Sequence, residues 1–222
     1  MKTELQRDGC AGLPESGWIA TISKHRFCLE RMMGHRVLEP TMSNQYFALF
    51  ETAIGVCGIE WGPRGINGVQ LPMGSREKTC ARIRQRHADI VEDKPSAEVQ
   101  GAIDRIVDLL DGKADDLADI ALDLDDVPAF NRGVYDIART IPPGKTMTYG
   151  DIAKRLGGLE LARDVGQALG RNPCPIVVPC HRVLAAGNKP GGFSARGGVE
   201  TKLKMLEIEG AIVNHTPSLF DS

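Results

Sequence analysis

No stretch of this chain approaches the ~18–20 uninterrupted apolar residues that a membrane-spanning helix needs, so contact with a membrane is not expected. The N-terminus has no basic, apolar, small-residue leader, which points away from export and towards the cytoplasm. Six cysteines (10, 28, 57, 80, 174 and 180) are scattered without paired spacings, so a disulfide framework is excluded and reduced thiols are expected. Charge of one sign is also missing. A net charge of −2 argues against non-specific nucleic-acid binding by the whole surface. The charge is nevertheless uneven: residues 126–222 hold 12 Lys+Arg against 9 Asp+Glu, whereas residues 1–125 hold 15 against 20. A small basic footprint in the second half is permitted.

What is present divides the chain. Residues 1–43 show no sustained period and read as a disordered tail, in which Cys10, His25, Cys28 and His35 leave zinc binding open and Met42 is an alternative start. From 44 to 112 short apolar runs alternate with Gly-Pro turns: Tyr46 to Phe50, Gly55 to Trp61 and Ile66 to Leu71 read as strands. A polar, basic helix follows over 75–90. Val99, Ile103, Ile106 and Leu110 then recur at helical steps, with Gly112 as C-cap. This predicts a small α/β domain. Seven aspartates between 111 and 126 lack the ordered spacing of a calcium loop, so 113–126 is expected to be a solvated acidic linker.

The second domain, 127–213, opens with Asp126 as N-cap candidate, Pro128 in the first turn, and Phe130, Val134, Ile137 and Ile141 on one face. Two helices separated by a glycine turn are predicted next, Tyr149 to Leu156 and Leu161 to Arg171. The second buries Leu161, Val165, Ala168 and Leu169, and turns Ala162, Arg163, Gly166, Gln167 and Gly170 outward. Small residues on that face suit close approach to a nucleic acid; a plain helical hairpin has the same pattern. Residues 214–222 read as a tail.

Pro179-Cys180-His181-Arg182 follows an apolar run, Ile176 to Val178, read as a buried strand and fixed by prolines at 173, 175 and 179. A cysteine held at the end of such a run faces a pocket wall, and a neighbouring His or cation lowers a thiol pKa and favours the nucleophilic thiolate. Adjacent residues on a strand face opposite sides, so direct Cys180–His181 contact would need a turn or a bridging water. A lone Cys-His dipeptide is more often a buried thiol beside a satisfied histidine. Cys174, Cys180 and His181 lack the usual spacing of a zinc set, and a cysteine hydrolase would need a distant histidine that the sequence does not offer.

At Pro179 to Val183 the chain resembles the methylated-DNA–protein-cysteine methyltransferases. The likeness extends over about 128–211, through Ile141-Pro142, Thr148 to Ala153, Ala162-Arg163, Val165-Gly166, Asn172-Pro173 and Glu209-Gly210. The resemblance implies a ribonuclease-H-like α/β N-terminal domain with a small antiparallel sheet, followed by a mainly helical, winged helix-turn-helix-like C-terminal domain. It implies a monomeric suicide enzyme without metal or cofactor, acting in the cytoplasm or at a bacterial nucleoid on double-stranded DNA that contains O6-alkylguanine, with O4-alkylthymine as a further substrate. Cys180 would accept the alkyl group, His181 would act as base through water, Glu209 would orient it, and Tyr149 would protonate the leaving guanine. Asn172 would brace the turn before the acceptor, and Lys202, two helical turns before Glu209, would face the pocket. Arg163 would replace the flipped base, with Ala162, Gly166, Gln167 and Arg171 along the DNA. Asp164 beside that finger, the large Leu161 and Gln167, and Phe193 in the pocket loop depart from the family pattern and bear on DNA affinity and alkyl range. Relatives that only sense lesions replace the acceptor cysteine; Cys180 is retained.

Overall fold

The computed structural model describes residues 44–213. The N-terminal tail, the alternative start at Met42, the zinc candidates and the tail from 214 lie outside the described residues.

A small sheet comes first and a helical part follows. Strands β1 (Tyr46–Phe50), β2 (Cys57–Gly62) and β3 (Gly65–Gln70) form an antiparallel meander, and β4 (Val91–Glu92) returns parallel to β1. The sheet is therefore mixed at one edge, because helix α1 (Arg76–Arg86) carries the chain back across its face. Ser75 caps α1 by accepting from the Lys78 N–H, and Thr79 and Ile83 are its buried positions. Helix α2 (Ala97–Leu110) buries Val99, Ala102, Ile103, Ile106, Leu109 and Leu110, the expected 3.6-residue stripe. Gly112 follows with φ of 91°, the left-handed conformation that ends a helix most cheaply at glycine.

The acidic stretch is mostly exposed, but it is anchored at both ends of its course. Leu117 is fully buried and Ile120 nearly so, while Asp115 and Asp119 both pair with Arg105 of α2. Further on, Leu122 bridges to Ile66, and the Asp123 N–H donates to the Ile66 carbonyl at 2.7 Å. Arg139 donates to the carbonyls of Ala118 and Ile120, both at 2.7 Å. The composition of this segment hid two apolar anchors, and Asp115, Asp119, Asp123, Asp125 and Asp126 meet arginines distant in sequence. Arg139→Met should strip those carbonyls of their donor and lower stability by about 1–3 kcal/mol, read from the urea midpoint.

Helix α3 (Ala129–Arg139) starts two residues later than an N-cap at Asp126 would place it. Pro128 is the N-cap without any side-chain cap bond, and Asp126 instead reaches Arg64 at 3.3 Å. Tyr135 of α3 is fully buried and donates its hydroxyl to the Ala168 carbonyl at 2.9 Å. Strand β5 (Met147–Thr148) leads directly into α4 (Tyr149–Arg155), and a 3₁₀ turn (Leu159–Leu161) leads into α5 (Ala162–Gly170). Strand β6 (Val183–Leu184) pairs parallel to β5, and α6 (Gly198–Ile208) completes the described chain.

One apolar core runs through both halves, from Ile59, Val69 and Ile106 to Val134, Ile152, Val177 and Met205. Polar ties cross the same boundary. The Val69 N–H donates to the Pro173 carbonyl at 2.8 Å, Arg196 to the Met73 carbonyl at 2.8 Å, and Lys204 to the Ala53 carbonyl at 2.9 Å. The sheet thereby buttresses the segment that carries Cys180. Among the described residues no helix is long and apolar enough to cross a membrane.

Candidate active site and nucleic-acid interface

The expected strand over 176–178 does not form. Residues 176 and 177 make a tight turn closed by an isolated bridge between Pro175 and Val178, and Ile176 has φ of 78°. A β-branched residue rarely adopts that conformation, and it persists only where its surroundings over-determine it. Burial of Ile176, Val177 and Val178 supplies that constraint. Asn172 supplies the rest, its Nδ2 donating to the Val178 carbonyl at 2.8 Å and its Oδ1 accepting from the Cys174 N–H at 2.9 Å. The chain then enters a 3₁₀ turn, Cys180–Arg182, with the Cys180 N–H donating back to Val178 at 2.8 Å. Alternating faces cease to matter in such a turn.

His181 and Arg182 are both fully buried, and they converge on Glu209 at the C-cap of α6. His181 Nε2 lies 2.9 Å from Glu209 Oε1; Arg182 donates Nε to Oε2 at 2.9 Å and Nη2 to Oε1 at 2.8 Å. Arg182 also donates Nη1 to the Ile141 carbonyl at 2.6 Å. Burial pushes the Glu209 carboxyl up, yet the bonds from His181 and Arg182 outweigh it and hold the group down at about 2. An ionised carboxylate only accepts, so Nε2 carries the imidazole proton. Burial also lowers the His181 pKa, so the ring stays neutral. Nδ1 is then a lone pair, and it is buried without a protein partner. The arrangement is a prepared base.

Tyr149 is brought to this turn by the β5–β6 pair, in which Met147 faces Val183 and Thr148 faces Leu184. Thr148 and Asp151 form a reciprocal capping box, which fixes Tyr149 as the first residue of α4. Its ring sits 5.9 Å from the Lys202 ammonium, and burial followed by the nearby Cys180 raises its phenol pKa. Gly191, with φ of 67°, lies where an added Cβ would come within 3.3 Å of the Tyr149 hydroxyl, so the loop closes over the ring only with glycine there. Lys202 is fully buried and donates to the Val183 carbonyl at 2.6 Å; burial lowers its pKa to about 8, which Cys180 opposes.

Cys180 forms one wall of a cavity of about 430 Å³, with Tyr149, Gly166, Leu169, Gly170, Gly192, Phe193 and Ser194. Burial raises its thiol pKa, with the Asn172 amide and then Lys202 acting the other way. The expected lowering by a neighbouring histidine is therefore corrected. His181 turns its proton-bearing nitrogen to Glu209 and is itself neutral, so the thiol has to be deprotonated when it reacts. On α5, Val165, Ala168 and Leu169 are buried, Arg163 and Gln167 are exposed, Ala162 and Gly166 are half-buried, and Arg171 is exposed at the C-cap. Asp164 is exposed beside Arg163.

The structure thus gathers Cys180, His181, Glu209, Tyr149, Asn172 and Lys202, and places the exposed face of α5 on the same cavity through Gly166. Arg182 had no role in the sequence reading. Its signal was a charged residue inside an otherwise apolar segment, which burial requires to be paired. Among the described residues no group of three or more His, Cys, Asp or Glu side chains has the arrangement of a metal site.

These features define a class: a protein with a half-buried cysteine on the wall of a cavity, a buried neutral histidine next to it in sequence and held by a carboxylate, and a helix pair whose outer helix rims that cavity. Residues 129–211 match the family model of the 6-O-methylguanine DNA methyltransferase DNA-binding domain. The methylated-DNA–protein-cysteine methyltransferase of Methanothermobacter thermautotrophicus is 33% identical over 153 residues, 69% of this chain and 78% of that protein. The Mycobacterium leprae enzyme of the same name is 41% identical over 123 residues, 54% of this chain and 73% of its own. A crystal structure of Mycobacterium tuberculosis O6-methylguanine methyltransferase superposes with a TM-score of 0.61 at 29% identity, covering 75% of this chain and 93% of that one. One of the M. tuberculosis protein in complex with DNA also gives 0.61, at 30% identity, covering 74% and 92%. The chain belongs to the methylated-DNA–protein-cysteine methyltransferase family.

Proposed function

We propose that this protein repairs DNA by moving an alkyl group from guanine O6 directly onto Cys180. The observation that carries the reading is the His181–Glu209–Arg182 cluster, which leaves Nδ1 as a buried free base beside a thiol whose pKa burial has raised. In the reaction, the Cys180 proton passes to His181, through water, and the sulfur attacks the alkyl carbon in line with the C–O6 bond. That bond breaks, its electron pair stays on the guanine, and the Tyr149 hydroxyl donates a proton to the base as charge develops. The thioether that forms has no route back to a thiol, so each molecule acts once. Lys202 places positive charge next to the developing thiolate and the Tyr149 ring. Asn172 holds the turn on which Cys180 rides.

An alkyl group on O6 inside a duplex is shielded, so the nucleotide has to be extruded into the cavity, at a cost of a few kcal/mol that an inserted side chain offsets in part. Arg163, exposed on α5, fills that role, with Ala162, Gly166, Gln167 and Arg171 along the DNA. We read 127–213 as a winged helix-turn-helix-like DNA-binding and acceptor domain, and 44–112 as a ribonuclease-H-like scaffold. The protein acts as a monomer in the cytoplasm, on O6-alkylguanine and also on O4-alkylthymine. The test is incubation with duplex O6-methylguanine DNA followed by peptide mass mapping: one added methyl on the Cys180 peptide is expected, and an unmodified Cys180 peptide would refute the reading. For Arg163→Ala, repair of duplex substrate should slow about tenfold or more, as flipping loses a few kcal/mol of support. The free O6-benzylguanine base should react as before; equal slowing of both would remove Arg163 from its role.

A further inference from the structure

A second, larger space touches the acceptor from its other side. A cavity of about 760 Å³ lies between the sheet layer and the end of α5, and Cys180, Leu169, Gly170, Phe193 and Ser194 line both it and the 430 Å³ cavity. These shared residues form a seam, lightly closed where Ser194 Oγ reaches the Gly170 carbonyl at 3.5 Å. A methyl group needs none of the space beyond that seam. A long substituent on O6, held with its first carbon at the Cys180 sulfur, has it as a place to extend.

The far cavity has a definite charge. Arg82, Arg86, Arg171 and Arg196 line it, with His87, and among the described residues the single acid on its wall is Glu60. Glu60 is nearly fully buried and already paired with Arg86, and His87 Nε2 lies 3.5 Å from its other oxygen. Room for that carboxylate is made by Gly68 opposite it on β3, where an added Cβ would stand 3.0 Å from the carboxyl. Arg82 meets no acidic side chain among the described residues; its Nη1 donates to Gln85 at 3.0 Å. Positive charge therefore remains after the one acid is matched.

We propose that this cavity is a receiving subsite for the distal part of long O6-substituents on guanine, selective for those that end in a carboxylate. The proposal rests on the alkyl-transfer reading of Cys180. Its chemistry adds no new step: the sulfur bonds to the first carbon of the substituent, the C–O6 bond breaks, guanine leaves with the electron pair and gains a proton, and the thiol proton goes to His181. The carboxylate stays intact at the far end of the new thioether, among the arginines.

The test uses the full chain and three duplex substrates carrying O6-methyl-, O6-carboxybutyl- and O6-carbamoylbutylguanine, the last a neutral isostere of the second. Second-order rate constants for alkylation of Cys180 are followed by mass spectrometry. The acid should react about threefold or more faster than the amide, the scale of a few screened charges. Arg82→Glu should abolish or invert that ratio, which cancels any general change in DNA affinity. Ala195→Phe, which fills the cavity from its loop wall, should slow both long substrates about tenfold and leave methyl transfer within about twofold. An acid-to-amide ratio near one, a ratio unmoved by Arg82→Glu, or equal slowing of all three substrates by Ala195→Phe would overturn the subsite alone. Absence of methyl transfer by the native protein would overturn the alkyl-transfer reading and the subsite with it.

Discussion

Cys180→Ala should abolish alkyl transfer completely while DNA binding persists. The sulfur is the atom to which the new bond forms, and no neighbour takes its place. Cys174 is fully buried, with its pKa pushed to about 12 mainly by that burial, and Cys57 is held in the same way at about 12. Neither thiol lines the 430 Å³ cavity, so among the described cysteines a flipped guanine held there would meet Cys180 alone. The exposed face of α5 is untouched by the substitution, so affinity for duplex DNA carrying the lesion should change by less than about threefold. Intact-mass measurement and a gel-shift titration read the two quantities. Any methylated product from the variant would move the acceptor elsewhere.

Glu209→Gln should be the most damaging substitution for stability among the site residues. The native carboxylate receives three hydrogen bonds from two buried side chains, and its charge compensates the buried Arg182 guanidinium. An amide of the same shape accepts at one oxygen only and turns an N–H₂ towards a guanidinium that has nothing to accept with. Removing one partner of a buried ion pair costs about 3–5 kcal/mol, because an uncompensated charge stays behind. The urea midpoint should fall accordingly, with the slope unchanged.

The pH dependence gives a second reading of the same group. Glu209 titrates at about 2 in the folded protein, below its ordinary value of 4.5. Its contribution to stability is therefore full above the ordinary value and is lost as the pH falls through about 2. The native protein should lose stability across that window more steeply than the variant. Equal acid slopes would mean that Glu209 does not hold the cluster. In the variant the histidine tautomer is no longer fixed, so transfer to Cys180 should also slow at neutral pH. Glu209→Asp, which keeps the charge but shortens the reach, should recover part of the acid slope and little of the rate.

Asp164 and Phe193 fall in different places in the structure. Asp164 is exposed beside Arg163 on α5, where a carboxylate weakens attraction to phosphates. Phe193 packs against the core and stands on the seam between the two cavities. On the proposed reading, the loop would bear on the range of alkyl groups, and the helix on affinity for DNA.

The local part of this protein was determined by its sequence. Apolar steps of three and four residues placed α2, α3 and α5, and the glycine turn separated α4 from α5, because each of these depends on neighbours within a few positions. Pro-Cys-His-Arg alone fitted a buried thiol, and only the family resemblance over 128–211 singled out Cys180. Where long-range partners decide the outcome, local pattern failed. The acidic stretch folds as an anchored strap because Arg105 and Arg139 meet it from other helices. The apolar run before the acceptor becomes a strained turn instead of a strand because Asn172 and the surrounding core impose it. Arg182 gains its function only when the chain returns 27 residues later with Glu209. The cysteine was legible as a nucleophile; its raised pKa, its prepared base and the second cavity behind it arise from burial, which is a property of the packed molecule alone.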